Sequence, residues 1–234
     1  MKRKSNRIVS ILSGGMDSTT LTYDLALSGN EVFAISFNYQ QKHVRELECA
    51  KATCKKLNIP HKIVDISSIS SILQGSSLTS PDIPTPHGKY DEENMKQTVV
   101  PNRNMIMISL ATAYAISIGA TEVYYGAHAG DHAVYMDCRP EFVSKLQEVI
   151  KICDWNKVEL KAPYLNLDKG DIAIIGKMLH VDYENTTSCY EGKETPCLKC
   201  GSCDERIGAF IKADMRDPII DEYNWSRILK EKVL

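Results

Sequence analysis

The fold is decided by one stretch near the N-terminus, Arg7-Ile-Val-Ser-Ile-Leu-Ser13-Gly14-Gly15-Met16-Asp17-Ser18-Thr19-Thr20. An apolar, β-branched run ends at Ser-Gly-Gly, and a helical pattern begins directly afterwards, so this order predicts a strand, a tight turn and a helix. Glycines let the backbone N–H groups of such a turn approach an anion closely, and the first turn of the helix favours phosphate. A carboxylate at Asp17 would repel that phosphate unless a divalent cation lay between them, which predicts Mg²⁺.

The hexapeptide Ser-Gly-Gly-Met-Asp-Ser resembles the pyrophosphate-binding loop of the ATP pyrophosphatases, enzymes that cleave ATP to AMP and pyrophosphate while they adenylate a substrate. It is not a Walker loop, because no Gly-Lys-Ser or Gly-Lys-Thr follows. A strand, turn and helix with no more than a Gly-rich corner is the alternative interpretation. The resemblance predicts an ATP site formed by Leu12, Ser13, Gly14, Gly15, Met16, Asp17, Ser18 and Thr19.

The composition is that of an ordinary soluble globular protein, with 43% apolar and 25% charged residues among 234. The net charge of −2 is not the excess of positive charge that is typical of proteins that bind a long nucleic acid, so we expect no nucleic-acid partner. The uncharged stretch 105–120 is too short to span a bilayer, and the basic start runs into a short strand instead of a signal peptide. The eight cysteines then indicate a reducing compartment, and we expect a cytoplasmic protein without a membrane partner.

After the quoted stretch, strands alternate with helices, which predicts an α/β fold: a Rossmann-like parallel sheet with helices on both faces. Further strands are predicted at 31–38, 61–65, 122–127 and 158–162, and helices at 44–57, 105–118, 140–152, 168–179 and 204–213. We predict an ATP-pyrophosphatase nucleotide-binding domain over 1–181 and, as an appendage of it, a zinc-binding segment with C-terminal helices over 182–234.

Ligands of open parallel sheets bind beyond the carboxyl ends of the strands. The pattern places residues 13–18, 36–43, 101–104 and 126–139 at such strand ends, so we expect them to form a single site. The Ser-rich segment 67–97 has little apolar periodicity and precedes one of these motifs, which favours a lid.

Four cysteines near the C-terminus have the spacing C-x7-C-x2-C-x2-C: Cys189, Cys197, Cys200 and Cys203. This spacing fits a tetrahedral zinc held by four thiolates. Ordering the segment costs roughly 15–30 kcal/mol of backbone entropy, which its few large apolar side chains cannot offset, whereas structural zinc is worth about 10–16 kcal/mol. An iron–sulfur cluster is the rival interpretation, and redox-active or disulfide cysteines are a weaker third. Cys49, Cys54 and Cys153 are predicted to be small core residues.

Residues 126–142 read Gly-Ala-His-Ala-Gly-Asp-His-Ala-Val-Tyr-Met-Asp-Cys-Arg-Pro-Glu-Phe and are unusually rich in polar side chains. Together with the phosphate loop, the cysteine spacing and the strings at 100–104, 187–190, 209–210 and 217–218, they resemble the 7-cyano-7-deazaguanine synthase (QueC) family. The likeness runs from Ile8 to Pro218, and Asp-Cys-Arg-Pro-Glu-Phe is its most specific part.

The resemblance implies a zinc-containing homodimer that converts 7-carboxy-7-deazaguanine, ammonia and ATP into 7-cyano-7-deazaguanine, AMP and pyrophosphate. It implies catalytic roles for Asp17, with Mg²⁺, and for Arg103, which would neutralise charge on the phosphates. The implied substrate-binding residues are His128, Asp131, His132, Tyr135, Asp137 and Arg139. Structural roles stay open for some side chains, since Arg139 can pair with Asp137 and Glu141 can serve the dipole of its helix.

The chain departs from the family pattern after the second predicted strand, where Gln40 stands in place of a glycine. If that glycine serves a left-handed turn, glutamine there is strained, or the turn differs. For this reason Lys42 and His43 are left without an assigned role.

Other functions also fit parts of the pattern. An ATP-pyrophosphatase tRNA thiolase, or a relative that stops at 7-amido-7-deazaguanine, would use the same loop, although a thiolase would need a basic surface for tRNA. A zinc-dependent binding module would keep the fold without catalysis. The residues do not decide between nitrile and amide, or whether the product serves tRNA or DNA.

Overall fold

The structure is a computed structural model that describes residues 6–42, 45–80, 82–88 and 95–233. Its strands are β1 (Arg7–Ile11), β2 (Glu31–Asn38), β3 (His61–Asp65), β4 (Glu122–Tyr124) and β5 (Glu159–Lys161). They form one parallel sheet in the order β3-β2-β1-β4-β5, which confirms the predicted sheet. Because β2 and β4 lie on opposite sides of β1, the strand order reverses there, and the carboxyl end of β1 opens into a crevice where ligands bind in such folds.

The described part of the chain contains α1 (Met16–Leu27), α2 (Arg45–Leu57), α3 (Arg103–Ile118), α4 (Pro140–Ile150), α5 (Lys169–Met178), α6 (Gly201–Lys212) and α7 (Glu222–Val233). Successive residues of β1 point to opposite faces of the sheet. Ile8 packs with residues of α1 and α5, whereas Val9 packs with residues of α3 and α4. Helices therefore cover both faces, as predicted. None of the helices described is long and apolar enough to cross a membrane.

Element boundaries differ from the predicted ones where distant residues intervene. The fourth strand ends at Tyr124 instead of 127, because Gly126 turns the chain against α1; a Cβ at Gly126 would lie 3.3 Å from the Ser18 backbone nitrogen. The helix predicted at 168–179 has Asp168 as its N-cap, and Asp168 Oδ1 accepts a hydrogen bond from Asp171 N at 2.9 Å. Beyond the helix predicted at 204–213, for which bounds were given, the C-terminal segment contains α7.

The C-terminal helices α6 and α7 share a core with α1 and α5. Phe210 of α6 and Trp225 of α7 pack in one cluster with Met16 and Ala173. The division at residue 181 stays a prediction. Of the cysteines predicted to lie in the core, Cys49 and Cys54 are buried, but the prediction for Cys153 is wrong: it is exposed because α4 ends before it, at Ile150.

The segment 67–97 is described only in part, and His43 also lies outside the described residues. A short 3₁₀ helix covers Ser67–Ile72, and Leu78 is buried. Further along, Gly88 N donates to Lys199 O at 2.8 Å, which ties the segment to the cysteine region. A lid function stays a prediction.

Gln40 occupies the left-handed region, with φ of 62°, so the turn that the family glycine implies is present. We expect Gln40→Gly to raise the free energy of unfolding by about 0.5–1 kcal/mol. Relief of roughly 1–2 kcal/mol of strain outweighs the extra unfolded-state entropy of glycine. Urea unfolding measures the difference. Gln74→Gly is the matched control, because Gln74 does not have a positive φ, and this variant should lose stability. An equal loss of stability in both variants would contradict the proposal that the backbone at Gln40 is strained.

Candidate active site

The turn between β1 and α1 is held in shape by its own side chains. The hydroxyls of Ser13 and Ser18 lie 2.9 Å apart, Ser13 N donates to Ser18 Oγ at 3.1 Å, and Gly15 N donates to Ser13 Oγ at 3.2 Å. From the C-terminal segment, Thr187 N donates to Gly14 O at 3.1 Å. No side chain caps the N-terminus of α1, so its dipole and first N–H groups are available to an anion.

Gly14 allows another helix to approach this turn. Its φ is +96°, and a Cβ built on it would collide with the Glu46 carbonyl oxygen in the first turn of α2. A side chain here would be strained and would displace α2. The glycine therefore places Glu46 directly beside the phosphate turn.

A cavity of about 240 Å³ opens at the carboxyl end of β1. Among the residues of the predicted site, its walls include Leu12, Ser13, Gly15, Asp17, Ser18, Arg103, Asp131 and Tyr135. Acidic and basic residues without a predicted role also line it: Glu46, Lys169 and Glu205. The four segments expected at strand ends therefore do meet in one cavity.

Asp17 and Lys169 form the charged centre of the cavity. Lys169 Nζ lies 3.5 Å from Asp17 Oδ2 and 2.6 Å from Glu205 Oε2, and Lys169 is buried. Burial alone would lower the pKa of Lys169, but the charges of Asp17 and Glu205 outweigh it and raise that pKa, so the ammonium persists. The other carboxylate oxygen, Asp17 Oδ1, is buried and has no hydrogen-bond partner in the part of the chain that is described.

His128 lies behind this centre. Its Nδ1 accepts a hydrogen bond from Gly130 N at 3.1 Å, which assigns the ring proton of the neutral form to Nε2. That Nε2 lies 3.5 Å from Asp131 Oδ2 and 3.8 Å from Asp17 Oδ2. His128 is buried and does not line the cavity, so its described contacts position two carboxylates that do.

Arg103 and Glu46 also line the cavity. Burial would lower the pKa of Arg103, but Tyr39, Tyr135 and Asp137 raise it, so the guanidinium stays charged. Burial raises the pKa of the Glu46 carboxyl to about 7, although the charge of Arg103 counteracts part of the shift. The Tyr135 hydroxyl lies 2.6 Å from Thr98 Oγ1.

The remaining predicted substrate residues lie outside the cavity lining. Asp137 Oδ2 accepts from Asn104 N at 3.2 Å and so serves the N-terminus of α3. Arg139 Nε donates to the His132 carbonyl at 2.7 Å and lies beside a separate shallow groove; no bond from it to Asp137 is described. Glu141 lies in the first turn of α4, where its carboxylate can interact with the helix dipole, as the structural alternative predicted.

The four C-terminal cysteines converge as predicted. Their sulfur atoms all lie within 4.8 Å of one another, and three of the four residues are buried. Cys197 Sγ and Cys203 Sγ are 3.9 Å apart, far beyond the roughly 2.05 Å of a disulfide. Backbone N–H groups of Lys199 and Cys200 donate to Cys197 Sγ, as thiolate ligands require. Hydrogen bonds from Cys200 and Cys203 hold the pKa of Cys189 well below its usual range. This arrangement can hold a metal ion.

Sequence reasoning missed Lys169, Glu205 and Glu46. One signal for Lys169 was available, because a lysine in the first turn of a helix opposes the helix dipole and such local conflicts mark functional positions. Glu46 and Glu205 sit on ordinary amphipathic helices, where charged residues are expected, and no local pattern separates them from solvent-facing acids.

Solved structures first define the class of protein. The NMN synthetase of Francisella tularensis has a TM-score of 0.51 at 16% identity, covering 97% of this chain and 84% of that one. A 4-thiouridine synthetase solved with RNA and bound ATP has a TM-score of 0.50 at 14% identity, covering 94% and 53%. These likenesses show the fold. Together with the Ser-Gly-Gly-Met-Asp-Ser turn, this fold is that of the ATP pyrophosphatases.

Sequence comparison then gives the family. The family model described as "Queuosine biosynthesis protein QueC" matches residues 7–214. The 7-cyano-7-deazaguanine synthase of Methanoregula boonei is 59% identical over 213 residues, which cover 91% of this chain and 98% of the relative. That of Hahella chejuensis is 57% identical over 217 residues, covering 93% and 94%. The chain therefore belongs to the QueC family, and as a member it is an enzyme of the ligase type.

Proposed function

We propose that this enzyme converts 7-carboxy-7-deazaguanine and ammonia into 7-cyano-7-deazaguanine at the expense of ATP, with release of AMP and pyrophosphate. The observation that carries this proposal is the joint placement of the phosphate turn, Asp17, Lys169 and Arg103 around one cavity. The relatives, which are 7-cyano-7-deazaguanine synthases, support the nitrile as the product.

The chemistry requires two rounds of activation at one site. A carboxylate oxygen is a poor leaving group, and adenylation makes it part of AMP, which ammonia displaces to give the amide. A second adenylation, on the amide oxygen, lets AMP depart and leaves the nitrile. Two positive groups of the cavity lining, Lys169 and Arg103, would stabilise charge on the α-phosphate in both rounds, and the turn would hold the pyrophosphate.

Asp17 Oδ1, which has no hydrogen-bond partner among the described residues, fits a role with Mg²⁺. A hard cation prefers oxygen ligands, and a buried carboxylate oxygen facing phosphates would otherwise repel them. Mg²⁺ bound with ATP would shield the charge of the triphosphate; the residue that would hold it here is Asp17.

For the cysteine cluster we propose one structural zinc per chain, held by Cys189, Cys197, Cys200 and Cys203. Four thiolates without an open ligand position are typical of structural zinc. We prefer zinc to an iron–sulfur cluster because the resemblance to the QueC family implies a zinc-containing enzyme. Elemental analysis of the purified protein should give one equivalent of zinc. Inorganic sulfide and iron in stoichiometric amounts would instead establish a cluster.

The homodimer and the cytoplasmic location predicted from the sequence remain proposals. Helix α3 presents an exposed face without charge to solvent, formed by Met105, Ser109, Ala113 and Ser117. Such a face suits a second copy of the chain. Light scattering of the purified enzyme measures the oligomeric state.

The proposed function is tested by AMP formation and by mass spectrometry of the product. We expect ATP turnover that depends on the deazaguanine acid and a nitrile product in the presence of ammonium. Accumulation of the amide would mark the relative that stops there. ATP turnover that does not depend on the deazaguanine acid but is stimulated by tRNA would indicate a thiolase. The absence of any ATP turnover would indicate a binding module.

Lys169→Gln tests the charged centre. We expect kcat/KM for ATP to fall about 10²–10³-fold, because a buried cation aimed at developing phosphate charge is lost. Lys161→Gln removes an exposed cation from β5 and serves as the control, with activity unchanged. Thermal unfolding of both variants separates misfolding from lost catalysis. If folded Lys169→Gln keeps full activity, Lys169 does not stabilise the developing phosphate charge.

A further inference from the structure

Glu46 has a defined place beside the phosphate turn. It lies in the first turn of α2, its backbone packs against Gly14, and its side chain lines the same cavity as Asp17 and Arg103. The close approach of Gly14 to the Glu46 backbone holds the first turn of α2 against the phosphate turn, so the Glu46 carboxylate comes from a helix end that packs on this turn.

The other carboxylates of the cavity are already engaged. Asp17 and Glu205 lie within ion-pair distance of Lys169, and Asp131 lies beside His128. For Glu46, no hydrogen bond or ion pair to the side chain occurs among the described residues. Asp17 Oδ1 also has no hydrogen-bond partner among the described residues, but it is proposed above for Mg²⁺. Of the remaining carboxylates that the structure describes in this lining, Glu46 can take a small cation or a proton without giving up a partner.

We propose that Glu46 receives ammonium in the cavity and accepts its proton before the nitrogen attacks the adenylated acid. The role rests on the proposed function, since ammonium is the form in which ammonia mostly exists at neutral pH. An anion is needed to draw ammonium into a site that also holds the positive Arg103. A carboxylate of ordinary acidity would bind ammonium but would accept its proton poorly.

The step balances without further reactants. An N–H bond of ammonium breaks, and the proton passes to a Glu46 carboxylate oxygen. The freed nitrogen lone pair forms a C–N bond to the acyl carbon, and the C–O bond to the phosphate breaks with its electron pair leaving on AMP. The second proton that the nitrogen loses goes to the departing phosphate oxygen, and Glu46 returns its own proton to solvent.

The groups facing Glu46 support proton transfer near neutral pH. Burial raises the pKa of its carboxyl to about 7, and the Arg103 charge from α3 opposes the shift. The Tyr39 hydroxyl after β2 and the Cys49 thiol on α2 also feel the charge of Glu46, and burial raises the pKa of both, so both stay neutral near pH 7.

Glu46→Gln separates this step from adenylation. ATP–pyrophosphate exchange that depends on the deazaguanine acid needs no ammonia, and we expect it within about threefold of the unmodified enzyme. Product formation from ammonium should fall at least about 10²-fold. Hydroxylamine, a nucleophile already neutral at pH 7, should still trap the adenylate at a nearly unchanged rate. Glu48→Gln, at an exposed acid on the same helix, is the control and should change none of these rates.

A pH profile at fixed ammonium concentration gives the second readout. The unmodified enzyme should gain rate up to about pH 7 and then level off, as Glu46 loses its proton. A rate that keeps climbing towards the pKa of ammonium would mean that free ammonia enters from solution, and would overturn the proposal. So would wild-type product formation by Glu46→Gln, or equal losses of exchange, trapping and amidation. Absence of acid-dependent exchange in the unmodified enzyme would instead refute the proposed function.

Discussion

Cys200→Ser should abolish binding of the zinc that is proposed for the cysteine cluster and unfold the segment around the cysteines. Cys200 is fully buried at the start of α6, and its sulfur lies within 4.8 Å of the other three. Structural zinc contributes about 10–16 kcal/mol in small domains, and loss of one ligand removes a large share of it. We expect metal content near zero, a Tm lower by more than about 10 °C, and proteolysis within residues 186–203.

Cys153→Ser is the matched control, because this cysteine is exposed and outside the cluster. Its metal content and Tm should equal those of the unmodified protein under reducing conditions. Prolonged treatment with a strong chelator should reproduce the effects of Cys200→Ser. A Cys200→Ser protein with full metal content and unchanged Tm would contradict the assignment of this residue as a ligand.

Asp217→Asn should cost about 3–5 kcal/mol of stability, since it leaves the buried Arg206 guanidinium without its counter-charge. Asp217 is fully buried, and its two oxygens accept from Arg206 at 2.7 and 2.9 Å. The same guanidinium donates to Thr186 Oγ1 at 2.9 Å and to the Tyr183 carbonyl at 3.3 Å. It thereby fixes the segment whose Thr187 N–H supports the phosphate turn.

Thermal and urea unfolding measure this loss, which corresponds to a Tm lower by about 6–20 °C for a chain of this size. We also expect a higher KM for ATP, because the support of the phosphate turn loosens. Asp204→Asn removes one partner of an exposed ion pair with Lys232 and should change stability by less than about 0.5 kcal/mol. Equal stabilities for the two variants would show that the buried pair contributes no more than a surface pair.

Much of the site was predictable because its chemistry is local in the chain. The phosphate turn is one contiguous stretch, and the cysteine cluster spans 15 residues from Cys189 to Cys203. In both, the residue types and spacings predicted a local ligand site, and the structure brings the four sulfur atoms together. The choice between zinc and an iron–sulfur cluster was left open by the spacing. At Gln40 the local pattern left two possibilities open, a strained left-handed turn or a different turn, and the structure contains the left-handed one.

Residues of the 126–139 loop were harder to place, because polar side chains in a loop can serve either a ligand or the fold. Asp131 and Tyr135 line the cavity, whereas Asp137 contacts the N-terminus of α3 and Arg139 bonds the His132 carbonyl. The choice depends on where α3 begins, and that position is set by packing far from the loop in sequence.

By itself, the sequence determined the parallel α/β fold, the phosphate turn and the cysteine cluster, since alternating apolar patterns and short ligand spacings act over a few residues. The tertiary structure alone decided which ionisable side chains face the nucleotide cavity. Lys169, Glu205 and Glu46 come from three helices that are distant in sequence, and Gly14 draws one of these helices onto the turn. Their charges act on one another only because folding removes them together from water, where the same charges would be screened.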